Sequence, residues 1–128
     1  MKILLDASFL MLMAETGENL LEKAEETLGE KIEAYVLEDT LMELKTIAGK
    51  GGRRAMSAKA ALKIAERMRH ISLPGSGSVD ERLLEAASKF QLVLATIDSQ
   101  LIENARRLGI PVLRVRRNMG LSLEGYRF

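Results

Sequence analysis

The order of the apolar runs is what most restricts the fold of this chain. Short uninterrupted runs alternate with longer stretches in which apolar residues recur every three to four positions. Residues 2–5 (KILL) run into Asp6 and read as a buried strand. Residues 8–14 start a helix that Gly17 breaks, and residues 18–28 follow with Leu20, Leu21, Ala24 and Leu28 at helical spacing, closed by Gly29. A second strand is expected at 34–37 (AYVL), then a helix carrying Leu41, Leu44 and Ile47 behind Thr40. After the loop 50–54 (KGGRR) come a helix at 55–69, a short strand at 71–73 and the loop 74–78 (PGSGS). A helix at 79–90, a strand at 92–95 (LVLA), a helix at 98–108 closed by Gly109 and a strand at 111–115 complete the pattern. The tail from Asn118 has no clear period. Strands alternating with helices imply parallel pairing with helices on both faces. The expected fold is α/β, a three-layer α/β/α sandwich around a central parallel sheet of about five short strands.

At 128 residues the chain is sized for one domain, expected over 1–128, and long enough for a core without staples. Hydrophobic residues are 47% and charged residues 29%, an ordinary globular balance. With no Cys, disulfides, thiolate metal sites and cysteine nucleophiles are excluded, and with one His, His70, so is a multi-histidine site. No apolar stretch approaches the length of a membrane helix. The first ten residues, interrupted by Asp6, make a poor signal peptide. The expectation is a soluble cytoplasmic protein without a membrane partner.

In open parallel sheets ligands bind beyond the carboxyl ends of the strands, at the switch in strand order. Asp6 follows the first strand there, and Thr96-Ile97-Asp98 follows LVLA. Of the four Asp in the chain, a third, Asp80, opens the helix after PGSGS; the fourth, Asp39, reads as a plain N-terminal helix charge. Carboxylates gathered at one edge repel unless a cation sits among them, and hard oxygen donors suit Mg²⁺ or Mn²⁺ rather than zinc. Plainer readings stand beside these. Asp98 can be a helix N-cap, Asp80 a carboxylate favouring a helix dipole, and Glu43 the partner of Thr40 in a capping box, as Glu81 is for Ser78. Asp6 resists such a reading best, since no helix cap is expected there.

These constellations resemble the PIN-domain ribonucleases over nearly the whole chain. The segment LLDASFL carries Asp6, TLMELKTIA carries Glu43, SVDERLLEAA carries Asp80, and LVLATIDSQL carries Thr96 and Asp98. Ser8 stands where the family usually has Asn, and Ile97 where Asn often precedes the last Asp. The resemblance implies an endoribonuclease using Mg²⁺ or Mn²⁺, with Asp6, Glu43, Asp80 and Asp98 holding the ions and Thr96 and Ser8 orienting water or a carboxylate. The region KGGRRAMSAKAALKIAERMRH is similar to small PIN proteins akin to rRNA-processing nucleases, and VapC-type toxins share the same core. The implied partners are RNA, an antitoxin or an RNA-processing protein, and a second copy in a homodimer. A non-catalytic PIN module binding RNA or protein is the alternative. A phosphoacceptor receiver domain fits less well, because no acceptor Asp follows 71–73 and no Lys follows the last strand.

The net charge of +1 hides blocks. Residues 1–48 hold four basic and eleven acidic side chains, whereas 49–73 hold seven basic and one acidic, and 104–128 six basic and one acidic. Arg53 and Arg54, and Arg114 and Arg116 on the last strand, are the candidate RNA contacts, since bound phosphates need cations. A solvated helix face explains the same charges. His70 reads as a charge at a helix C-terminus.

Overall fold

The structure, a computed structural model, describes residues 1–126. The elements in order are β1 (Lys2–Leu5), α1 (Ala7–Thr16), α2 (Leu20–Leu28), β2 (Glu33–Leu37), α3 (Glu38–Ala48), α4 (Arg53–Glu66), β3 (Arg69–Ile71), α5 (Val79–Lys89), β4 (Val93–Ala95), α6 (Ser99–Arg107), β5 (Val112–Val115) and β6 (Leu121–Glu124). They build the expected three layers. The sheet has the order β3-β2-β1-β4-β5-β6, and β1 to β5 pair in parallel.

Successive side chains of a strand point to opposite faces, and each face carries its own core. Ile3 and Leu5 pack with Phe9, Leu10 and Leu44 and with Ala58, Ala61 and Ala65 of α4 on one side. Leu4 and Leu94 pack with Leu83, Ala86, Leu101 and Ala105 on the other. Helices α1 to α4 therefore cover one face, and α5 and α6 the other. The alanine stripe of α4 lets it lie close against α1 and α3. Leu4, Leu5 and Phe9 are wholly buried, each worth about 1.5–3 kcal/mol of apolar transfer.

Four expectations need correction. The tail contributes a sixth strand, β6, antiparallel to β5, so the sheet is mixed. It is reached through a tight hairpin in which Arg116 N–H donates to the Gly120 carbonyl at 2.7 Å and Asn118 Oδ1 accepts from Gly120 N–H at 2.9 Å. Helix α3 starts directly from β2 at Glu38, so Thr40 lies inside it and caps nothing. Arg53 and Arg54 belong to α4 rather than to a loop. The third strand is the exposed edge segment Arg69–Ile71 rather than 71–73; an edge strand needs no apolar run to pair on one side.

Candidate functional site

The strand order reverses at β1, whose two neighbours are β2 and β4. Leu5 is level with Ala95 across the β1–β4 pair, so the next residues, Asp6 and Thr96, leave the sheet side by side at its carboxyl edge. The Asp6 N–H donates to the Ala95 carbonyl at 3.1 Å. This is the crevice in which an open parallel sheet receives a ligand.

Asp6 is only 5% exposed. Its Oδ1 accepts from the Phe9 N–H at 2.9 Å, which makes it the N-cap of α1. A cap was thus needed where none was expected. The Ser8 hydroxyl donates to the same carboxylate at 2.8 Å, and the Thr96 hydroxyl donates to Oδ2. Thr96 Oγ1 in turn accepts from the Asp98 N–H at 3.0 Å, and Ser8 Oγ from the Ile97 N–H at 3.2 Å. Ser8 and Thr96 therefore tie the segment after β4 to the carboxylate after β1. Asp98 is the N-cap of α6, accepting from Gln100 and Leu101 N–H at 2.9 and 3.0 Å. Its cap role coexists with its place in the cleft.

The cleft has a volume of about 910 Å³, and Asp6, Glu43, Asp80 and Asp98 all line it. Glu43 comes from α3, half-buried, and Asp80 from the first turn of α5. Burial lifts the Asp6 carboxyl above its ordinary value; hydrogen bonds from Thr96, Phe9 and Ser8 pull it back in part, and Asp98 adds repulsion. Burial and then the charges of Asp6 and Asp80 raise Glu43, against the pull of Arg54. Burial and Asp98 raise Asp80. The four groups feel one another, and their all-oxygen donor chemistry fits a hard divalent cation. Among the described residues, no three acidic or histidine side chains are gathered closely enough to hold a metal ion by themselves. An open set of this kind suits an ion that keeps several of its waters.

The basic residues divide. Arg54 lines the cleft, together with Lys50, which the sequence reading did not single out. Arg53 sits beside it over a neighbouring depression with Ala14 and Glu15. Arg114 and Arg116 lie outside the cleft. Arg114 pairs with Glu124 at 3.1 Å, while Arg116 donates to Ser122 at 2.9 Å and approaches Glu124 at 3.9 Å. His70 lies on β3, yet its Nε2 is 3.2 Å from the carbonyl of Ala65 in the last turn of α4.

Asp39 is more than a helix charge. It forms an ion pair with Arg82, a buried guanidinium on α5, and both line the cleft. Asp39 and Glu43 stand four apart on one helix face, a spacing legible in the sequence. The partner Arg82 had no such signal.

The profile of a family described as a PIN-like domain matches residues 3–118. Ribonuclease VapC9 of Archaeoglobus fulgidus is 36% identical over 73 residues, which are 57% of this chain. The chain spans about half the length of that curated relative, with 53% covered. The structure of the PIN domain endonuclease Utp24 is similar with a TM-score of 0.78 at 23% identity, over 98% of this chain and 92% of that one. A domain of a functionally unknown protein from Methanocaldococcus jannaschii is similar with a TM-score of 0.68 at 15% identity, over 90% and 91% of the two chains. At these identities both likenesses concern the fold.

Proposed function

The chain belongs to the PIN-like domain family, and on that premise we propose that it is a divalent-metal-dependent endoribonuclease, with residues 1–128 as one nuclease domain. The observation that carries this reading is the set of four carboxylates from four elements lining one cleft at the sheet's switch point. Similarity to a protein named a ribonuclease supports it. Asp6, Glu43, Asp80 and Asp98 would hold Mg²⁺ or Mn²⁺. When bound, such an ion supplies positive charge against the phosphoryl oxygens and lowers the pKa of water.

The chain's own groups do the rest. Thr96 and Ser8 hold Asp6 in one orientation through their hydroxyls. Because Asp6, Glu43 and Asp80 are raised above the ordinary carboxylate values, they must lose protons before the site is competent. Activity therefore falls on the acid side. Lys50 and Arg54 on the cleft wall, and Arg53 beside them, contact backbone phosphates. Arg114 and Arg116 would have to exchange Glu124 for phosphate, so they rank below Arg54 as RNA contacts. Such contacts make binding weaken with salt.

Among the described residues, no helix is long and apolar enough to cross a membrane, and we place the reaction in the cytoplasm. The biological role is either RNA processing or that of a toxin with an antitoxin partner. The toxin role produces growth arrest on expression, relieved by a co-expressed partner, and the processing role does not. Pairing of two copies is measured by sedimentation.

The decisive experiment is cleavage of RNA with Mn²⁺ or Mg²⁺. Asp6→Asn and Asp98→Asn are expected to lower the rate at least about a hundredfold, equivalent to about 2.7 kcal/mol of barrier. Both should stay folded, because Asn caps a helix about as well as Asp. Asp6→Ala removes the cap as well and costs about 0.5–2 kcal/mol of stability. Variants that cleave like the parent protein would overturn the site. A parent protein that binds RNA but cuts none with either ion would favour a binding module.

A further inference from the structure

The pair Asp39–Arg82 lines the cleft without being among its four candidate ligands, and it belongs together with the loop PGSGS. Arg82 is 5% exposed and spends its donors on three residues of two segments. Nε and Nη2 grip the Asp39 carboxylate of α3, the latter at 3.3 Å from Oδ1. Nη2 also donates to the Leu73 carbonyl, and Nη1 to the Pro74 carbonyl at 3.5 Å. The loop wraps this side chain closely. A Cβ on Gly75 would lie 3.5 Å from Arg82 Nη1, and one on Gly77 would lie 3.9 Å from Arg82 Cγ and 3.0 Å from Glu81 Oε2. Both glycines have positive φ, 108° and 137°, which a side chain would oppose.

The geometry points to Arg82 as a positioning residue that, through Asp39, fixes Glu43 and Asp80 relative to each other across the cleft. Glu43 lies one turn beyond Asp39 on α3, and Asp80 lies in the same first turn of α5 as Arg82. The guanidinium thus joins the two helices that bring these carboxylates to the cleft. Its fork engages two oxygens of Asp39 and two carbonyls, which a lysine ammonium cannot match. Four of its five N–H groups are spent in this way, which leaves one Nη1 N–H, so the role is chiefly to hold rather than to bind. The consequence for metal rests on the proposed function.

The sign of the effect separates this role from plain electrostatics. Arg82→Met removes a positive charge from a cleft that attracts cations, so charge alone predicts tighter Mn²⁺ binding. Positioning predicts weaker binding, by about 10–100-fold, as when a group supporting a metal ligand is lost. The test is calorimetric titration with Mn²⁺ of the parent protein, Arg82→Met, Arg82→Lys and the double variant Asp39→Asn/Arg82→Met. The double variant leaves no buried charge unpaired and keeps the fold testable. Amide hydrogen exchange on the same metal-free proteins gives a readout that needs no ion. The expected result is weaker Mn²⁺ binding in all three variants, little rescue by Lys, and faster exchange confined to 38–43 and 73–82. Unchanged or tighter Mn²⁺ binding by Arg82→Met and the double variant overturns the inference. If the parent protein binds no Mn²⁺, the metal reading falls instead, and the exchange result alone decides the clamp: unchanged exchange at 38–43 and 73–82 overturns it.

Discussion

The carboxylate of Asp6 is divided between a helix and a neighbouring strand. One oxygen closes the first turn of α1 through Phe9 N–H, and the other takes the Thr96 proton from beyond β4. Because Thr96 Oγ1 also accepts from Asp98 N–H, a single hydroxyl sets the relative place of two candidate ligands. Its bond holds the Asp6 carboxyl below the value that burial alone would impose. Thr96→Val deletes that bond at constant shape. The Asp6 pKa then rises further, so the acid limb of the pH–rate profile moves to higher pH. Stability at neutral pH falls by about 1–3 kcal/mol, the cost of a buried acceptor losing its donor. Thr96→Ser keeps the hydroxyl and is expected to stay near the parent profile. An unmoved acid limb in Thr96→Val would show that Asp6 does not control activity.

At the scale of elements, legibility followed burial. Residues 3–5 and 92–95 are apolar because both sheet faces are covered, and each stands out as a run. The edges do not. β3 exposes Arg69 and His70, and β6 consists of four half-buried residues, so neither offers a continuous apolar signal. The start of α3 is masked in the sequence for another reason. Thr40 and Glu43 have capping-box spacing, yet the helix begins at Glu38 straight from the strand, with Leu37 as an N-cap that makes no side-chain bond. Glu43 is thereby freed for the cleft, and Thr40 is left wholly buried with its Oγ1 lacking a hydrogen-bond partner among the described residues. A buried hydroxyl without a partner is a net cost, so Thr40→Val should leave the chain as stable or raise its stability by about 1 kcal/mol. Chemical denaturation measures this, and a loss larger than about 1 kcal/mol would mean that the hydroxyl has a role in the fold.

Across the whole molecule, the near-neutral total charge conceals a conflict between site and stability. The cleft gathers carboxylates that the fold must hold in partial burial, and among the described residues only Asp39 of them is fully matched by a cation, Arg82. Asp6, Glu43 and Asp80 are raised above their ordinary values of 3.8, 4.5 and 3.8. Between the ordinary and the raised value the native state holds more protons than the unfolded chain, so stability falls as the pH rises through that window. The contribution of these three groups is complete below the ordinary values and gone above the raised ones. Glu124 runs the other way. Burial opposes its ionisation, but hydrogen bonds from Arg106 and Arg114 prevail and lower it, so its stabilisation exists above 4.5 and is lost as the pH falls through its lowered value. A divalent cation that binds the ionised site restores at neutral pH what burial and repulsion remove. At a hundredfold excess over Kd the gain is about 2.7 kcal/mol, and it shrinks at pH 4, where protons compete for the same oxygens. The double variant Asp6→Asn/Asp80→Asn inverts the pattern. Without metal at pH 7 it should melt at a higher temperature than the parent protein, because the cost of burying these charges is gone together with their repulsion, and Asn still caps α1. Added Mn²⁺ should then move its melting point little. Equal Mn²⁺ shifts in the parent and the double variant would place the ion elsewhere on the surface and separate the acidic cleft from metal binding.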